Sequence, residues 1–390
     1  MVASKIILKN GRDKSLRQRH PWIFSGAVAE LPTCEPGALL SVHTAQGDKL
    51  GEGYFNPRCS LLGRMLSFGT QTALDGVRDN LDRAISLRRA FFAEKPGVAY
   101  RVIHGEGDGI PGLVVDRYDD LLIMQVGTAG IDKLKSELVR LLLERLPCRT
   151  VYERSRLPTR KEEGLGPIEQ LLAGPEKPEV EIREGNARFI VSLLDAQKTG
   201  FFLDQRDMRL LVHALSHGKR VLNCFSYTGG FSVHAALGGA SQVDSVDISD
   251  KAIALARRNC QLNGLSDSVT PCLTRDAFTF LRESPLQYDL VILDPPAFAK
   301  KKNDLIPACR GYKEINRLAI QKMPKDSLLL TCSCSHHVDE KLFQTVLFQA
   351  ALDAGRNVRL ISGHRQALDH PQSIYHPEGR YLKSALLWID

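Results

Sequence analysis

The sequence predicts an α/β protein whose C-terminal half, from about residue 181 to 390, is a doubly wound domain. Three observations predict it. Strand-like and helix-like segments alternate through this half, and its early strand candidates are apolar nearly throughout, as in strands buried on both faces. The text before it has a different character: short β-like runs over residues 1–72, then longer helix and strand patterns over residues 73–180. The expected organisation is a small β-rich domain (1–72), a central α+β module with linker (73–180) and the doubly wound domain (181–390).

In the first segment, "KIILK", "ALLSVHT" and "LLGRMLSF" read as strands separated by Gly, Pro and Asp turns. In the second, "VRDNLDRAISLRRAFFAE" spaces Leu81, Ala84, Ile85, Leu87 and Arg88 along one helical face. "GLVVDRYDDLLIMQVGT" reads as a hairpin turning at Asp119-Asp120, and "DKLKSELVRLLLERL" as a further helix. The charged, Gly- and Pro-bearing text from 160 to 180 reads as a linker. Beyond it come the strand candidates "RVLNCF", "QVDSVDI", "VTPCLT", "YDLVILD", "SLLLTCSC", "VRLIS" and "SALLWI". One intervening helix, "DKAIALARRNCQLNG", is expected to be capped by Ser249 and stopped at Asn263-Gly264.

Composition narrows the class. With 43% hydrophobic and 25% charged residues, the 390-residue chain sits at the average for globular proteins. No apolar run approaches the roughly 20 residues that span a bilayer. The N-terminus lacks a secretory pattern, so a cytoplasmic location is expected. Nine cysteines without a C-x-x-C pair fit neither a disulfide framework nor a structural zinc site. The net charge of +7 is unevenly spread: Lys5, Lys9, Arg12, Lys14, Arg17 and Arg19 face only Asp13 within residues 1–22. A solvated face is the ordinary meaning of such a run. Here it leads into Trp22 and Phe24, which makes Arg12, Arg17 and Arg19 candidates for a nucleic-acid backbone.

Ligands of an open α/β sheet bind beyond the carboxyl ends of its strands. After "RVLNCF" comes "SYTGGF", where Gly229 and Gly230 allow close backbone approach as a helix begins. Asp247 ends the second strand, 18 positions beyond Gly229, near the spacing at which an acid reaches a ribose hydroxyl. Asp276, Asp294 and Cys334 end the next three. Singly, each has a plain structural use: turns for the glycines, helix caps for Asp247 and Asp276, packing for the cysteine. Together they are harder to explain by packing. G-x-G-x-x-G is absent, which disfavours a dinucleotide and leaves a nucleoside held by its ribose, as in S-adenosylmethionine.

The run "VLNCFSYTGGFSVHAALGGA", with "KTGFFLDQRD" before it and "LDPPAF" and "TCSCS" after it, resembles the bacterial ribosomal RNA large-subunit methyltransferase I family, which forms 5-methylcytosine in 23S rRNA. "GRDKSLRQRHPWIFSGAV" is similar to that family's N-terminal PUA domain and "VIHGEGDGIPGLVVDRY" to its central module, so the resemblance covers essentially the whole chain. It implies a PUA domain, a central α/β domain and a Rossmann-like class I methyltransferase domain. It places Asn223, Phe225, Ser226, Tyr227, Gly229 and Gly230 along the methionine side of S-adenosylmethionine, Asp247 on the ribose and Asp276 at the adenine. Gln205 and Arg206 would close the site. The implied partner is ribosomal RNA of the large subunit, with a homodimer allowed.

C5 of cytosine is a poor nucleophile, and a thiolate added at C6 pushes electron density onto it. That chemistry needs a thiol and an acid: Cys334, further toward the carboxyl end and at the cysteine position of the family it resembles, is read as the nucleophile and Asp294 as the acid at N3 and the amino group, with no metal required. Cys332 shares the strand face but lies where the family pattern is variable. The chain departs from several other RNA cytosine-C5 methyltransferases in having "DPPAF", without a cysteine after the proline. Two other readings compete: an exocyclic-amine methyltransferase, suggested by the D-P-P motif, and a non-catalytic RNA-binding assembly factor.

Overall fold

Seven strands form the sheet that closes the chain: β1 (Arg220–Cys224), β2 (Gln242–Asp247), β3 (Cys272–Thr274), β4 (Leu290–Leu293), β5 (Ser327–Ser333), β6 (Val358–His364) and β7 (Lys383–Ile389). In the computed structural model, which describes residues 5–193, 200–299 and 301–390, their order is β3-β2-β1-β4-β5-β7-β6. The first five run parallel. The order reverses between β1 and β4, which makes their carboxyl ends the topological switch point. The wholly parallel sheet suggested by the sequence ends at β7, which is antiparallel to both neighbours. No helix long enough for a parallel crossover separates β6 from β7 among the described residues.

Helices α1 (Arg206–Leu215), α2 (Gly230–Leu237), α3 (Asp250–Leu262), α4 (Ala277–Glu283), α5 (Leu305–Lys322) and α6 (Glu340–Ala354) accompany the strands. The two-residue strand period divides the sheet between two apolar layers. Val291, Leu293 and Leu329 pack with Phe280, Tyr312, Ile315 and Phe343. Leu290, Ile292, Leu330 and Cys332 pack with Met208, Val212 and Phe231. The Ser249 hydroxyl caps α3 by accepting from Ala252 N, and Gly264 follows the helix with φ +71°.

The chain divides into two compact units. The sheet belongs to one, made of Arg183–Ile190, Asp204–Ala367 and Arg380–Asp390. The other comprises the chain up to Ile182, Val191–Leu203 and Leu368–Gly379. It holds a six-stranded sheet drawn from Lys5–Phe68, with Ile6, Leu8, Val42, Phe55 and Met65 in its core. A five-stranded sheet and helices Ala73–Phe91 and Ala129–Arg145 surround another core. The expected hairpin turns at Asp119, whose φ is +56°.

Residues 160–180 are not the linker their charge suggested. Ile168–Ala173 is a strand paired antiparallel to Thr150–Ser155. Arg160 is buried and donates to the carbonyls of Val126 and Gly166. Glu163 is buried and accepts from Asn56 Nδ2 and Arg64 Nη1. These two charges face partners inside the fold instead of water.

Farther along, the strand Glu179–Glu184 delivers Glu184 into a buried ionic cluster of the C-terminal unit. Its carboxylate accepts from Arg209 Nε at 2.5 Å and Nη2 at 2.6 Å, from Arg206 Nε at 3.2 Å, and sits 3.0 Å from His234 Nε2. Burial pushes this carboxyl's pKa up, but the Arg209 charge and the donated bonds outweigh it and hold the group well below the usual carboxylate range. Glu184→Ala is expected to cost about 3–5 kcal/mol in urea unfolding, because two guanidinium groups lose their buried counter-charge. The native carboxyl is depressed relative to the unfolded chain, where it titrates near about 4.3. Its contribution is therefore complete above that pH and is lost as pH falls through the folded value, an acid dependence the variant should lack.

Candidate active site

The β1–α2 turn is built under strain. Phe225 and Tyr227 have φ of +60° and +47°, a region that costs a bulky residue on the order of 1–2 kcal/mol. Backbone bonds hold them there: Ser226 N donates to Val246 O, Gly229 N to Ser226 O, and Tyr227 N to Asp247 Oδ2 at 2.9 Å. Gly229 has φ +79°, and a β-carbon on it would meet the Ala256 β-carbon at 3.2 Å, so this position calls for glycine. Gly230 then opens α2. Asn223 gives Nδ2 to Ser232 Oγ, while its Oδ1 and the Ser226 hydroxyl are buried without a hydrogen-bond partner. Such orphaned polar atoms beside a strained turn are what a ligand-binding loop leaves to its ligand.

The two acids are used differently. Asp276 caps α4, its Oδ1 accepting from both the N–H and the hydroxyl of Thr279; Oδ2 takes part in neither bond. Asp247 caps nothing, since Ser249 caps α3. Its oxygens instead accept from Tyr227 N and Ser249 N, which fixes the carboxylate at the carboxyl end of β2 beside the strained turn. Phe225 and Phe278 lie near this edge with ring centroids 6.4 Å apart.

At the end of β4, Asp294 Oδ1 accepts from Gln205 Nε2 at 3.0 Å, and Gln205 Oε1 is buried without a hydrogen-bond partner. Gln205 and Asp294 are thus brought together. Arg206 gives its Nε to the Glu184 cluster, so at least this edge of its guanidinium serves the fold.

The two cysteines at the end of β5 differ sharply. Cys332 is fully buried in an apolar layer, and burial pushes its thiol well above the ordinary range. Cys334 is partly exposed, its Sγ 3.9 Å from the Pro295 carbonyl oxygen, one residue past Asp294. Ser335 bolts this turn in place: its hydroxyl accepts from Ala299 N at 3.1 Å and lies 2.9 Å from Tyr312 OH. Its carbonyl accepts from Lys383 Nζ at 2.7 Å. Sequence reasoning missed Tyr312 and Lys383 here, although a lysine heading an apolar strand was the available signal.

In the other unit, Arg12, Arg17 and Arg19 are all exposed. Arg17 is engaged by Asp13 at 2.6 Å and Asp48 at 3.6 Å, so the strip is less bare than its local sequence suggests. Phe24 is exposed, whereas Trp22 is half-buried, its Nε1 donating to Glu106 and its ring 4.5 Å from that of His376. His20, His376 and Glu378 also cluster. His20 Nδ1 accepts from Trp22 N, which leaves its Nε2 to carry the proton toward Glu378 and opposes metal ligation through that atom.

Residues 166–350 match the profile of an S-adenosylmethionine-dependent methyltransferase family, and residues 6–68 that of a PUA-like domain. Ribosomal RNA large subunit methyltransferase I of Alteromonas mediterranea is 41% identical over 388 residues, covering 98% of both chains. The protein of that name from Aliivibrio fischeri is 43% identical over 387 residues, 97% of both. The chain belongs to the ribosomal RNA large subunit methyltransferase I family. Solved structures agree on fold: a candidate S-adenosylmethionine-dependent methyltransferase from Streptococcus mutans superposes with a TM-score of 0.83 at 22% identity, over 98% of this chain and 99% of that one. One from Agrobacterium tumefaciens gives 0.54 at 17%, over 76% and 91%.

The strained turn, the orphaned Asn223 and Ser226 oxygens and the fixed Asp247 carboxylate suit the methyl donor of this family, S-adenosylmethionine. Asp247→Ala is predicted to weaken its binding by about 1.5–3 kcal/mol, the range for a lost hydrogen bond to a charged group. Titration calorimetry checks this, and unchanged affinity would remove Asp247 from the ribose.

Proposed function

We propose that this methyltransferase forms 5-methylcytosine in 23S ribosomal RNA through a covalent Cys334 adduct. The observation that supports it most is one accessible thiol at the end of β5 set against the Pro295 carbonyl, next in the chain to the Asp294 carboxyl at the end of β4. S-adenosylmethionine, when bound, supplies a methyl group made electrophilic by its sulfonium. In our reading Asn223, Phe225, Ser226, Tyr227, Gly229, Gly230, Asp247 and Asp276 hold it, with Gln205 and Arg206 closing the edge.

The target base must leave its stack to reach the thiol. The Cys334 thiolate adds to C6, forming an S–C bond and moving the C5–C6 π electrons toward C5 and the ring. Asp294, steadied by Gln205, hydrogen-bonds N3 and the amino group and acts as general acid as that charge develops. C5 takes the methyl group as its bond to the sulfonium breaks and leaves a neutral thioether, the C5 proton passes to water, and the C6–S bond breaks to return the thiolate while N3 gives its proton back to Asp294. No second cysteine follows the proline of "DPPAF", so this reading assigns the proton to solvent.

Substrate capture falls to the PUA-like segment. We keep the division at residues 72 and 180; the PUA-like match, ending at residue 68, supports the first of these. Arg12, Arg17 and Arg19 would neutralise phosphates. Their triple alanine variant should bind RNA more weakly with little sequence bias, and its salt slope should fall by about one for each phosphate left without its arginine. A filter-binding salt titration that matches wild type would return the strip to a solvated face.

Cys334→Ala should abolish methylation and leave cofactor affinity unchanged, while Cys332→Ala keeps most activity. RNA carrying 5-fluorocytidine at the target has no C5 proton to lose, so wild type should form an adduct stable to denaturant. Mass spectrometry of that adduct should place the link at residue 334. A link at Cys332 reverses the assignment, and an active Cys334→Ala enzyme favours methylation of an exocyclic amine.

A further inference from the structure

Lys383 heads β7, directly across from Ser333, the last residue of β5. It is only 7% exposed. Its Nζ donates to two carbonyls, Ser335 O at 2.7 Å and Tyr381 O at 2.6 Å, and no carboxylate lies within ion-pair distance of it among the described residues. A buried ammonium with neutral partners is costly unless a negative charge develops close by. Cys334 lies between the residue Lys383 faces and the residue whose carbonyl it holds.

The surroundings decide which charge that is. Asp339 and Glu340 begin α6 and act on Lys383 more weakly than Cys334 does. Asp294 at the end of β4 is the acid bonded to Gln205; it opposes a thiolate only when ionised, and as the general acid it is protonated and neutral. Tyr312 of α5 is neutral, burial pushing its hydroxyl pKa up. His336 and His337 follow on the same turn. Burial brings the Lys383 pKa down to about 8, with the Cys334 charge the leading influence in the other direction.

We propose that Lys383 is a positioning residue for Cys334: it pins the turn through the Ser335 carbonyl and sets a positive charge beside the thiol that favours the thiolate. This rests on Cys334 being the nucleophile. The thiol proton leaves to water, Lys383 keeps its own, and the ammonium balances the anion both before attack and after the C6–S bond breaks.

The test is the pH dependence of Cys334 alkylation by iodoacetamide in the full chain, followed on the peptide containing residue 334. Wild type should titrate below the ordinary thiol value of about 8.5. Lys383→Met should raise that midpoint by about one unit, slowing alkylation at pH 7 by about tenfold, the factor one unit implies for thiolate population. Lys383→Arg should stay within about threefold of wild type, since it keeps the charge. Methylation by Lys383→Met should fall at pH 7 through kcat and recover near pH 9, a rescue that a purely structural lesion would not show. A wild-type midpoint at or above 8.5, or one that Lys383→Met leaves in place, overturns the proposal; if that variant does not fold, the wild-type midpoint alone decides. Activity surviving in Cys334→Ala would instead sink the nucleophile reading, and the alkylation midpoint would still report on the Lys383 charge.

Discussion

Five parallel strands that end on one side oblige whatever follows them to share that side, and the site depends on this constraint. Each turn beyond a carboxyl end has backbone groups that its strand no longer satisfies. Here they are satisfied mostly by one another: Tyr227 N by Asp247, Ala299 N by the Ser335 hydroxyl, Ser335 O by Lys383. Polar side chains that sequence shows as isolated strand ends therefore form a connected edge. Moving one turn would leave the next with an unpaired buried group, which costs about 1–3 kcal/mol.

Much of this was legible because it is local. The period of the strands, the Ser249 cap, the Asp119 turn and the row of polar residues at strand ends all depend on neighbours in the chain. What failed was non-local. Residues 160–180 read as a linker because Arg160 and Glu163 find their partners at Val126, Asn56 and Arg64, far away in sequence. Arg17 seemed to face one acid because Asp48 lies on another turn. The last strand candidate, "SALLWI", excluded Lys383, since nothing beside it announces that its ammonium ends at Ser335.

The two cysteines of "TCSCS" show how a small displacement along a strand decides chemistry. Cys332 is inside the ladder, paired with Ser384, and its thiol is fully buried. Cys334 is just past the last paired residue, where backbone leaves the sheet and solvent enters. Two residues separate an inert filler from an accessible thiol, and the end of β5 draws the line.

The interleaving of the two units bears on biogenesis. The polypeptide passes between them at 182–183, 190–191, 203–204, 367–368 and 379–380, so no single cut separates one from the other. The N-terminal unit lacks its final piece until Gly379 has been synthesised, and β7 emerges after that. A fragment ending before β7 would lack Lys383, which holds the Ser335 carbonyl of the Cys334 turn.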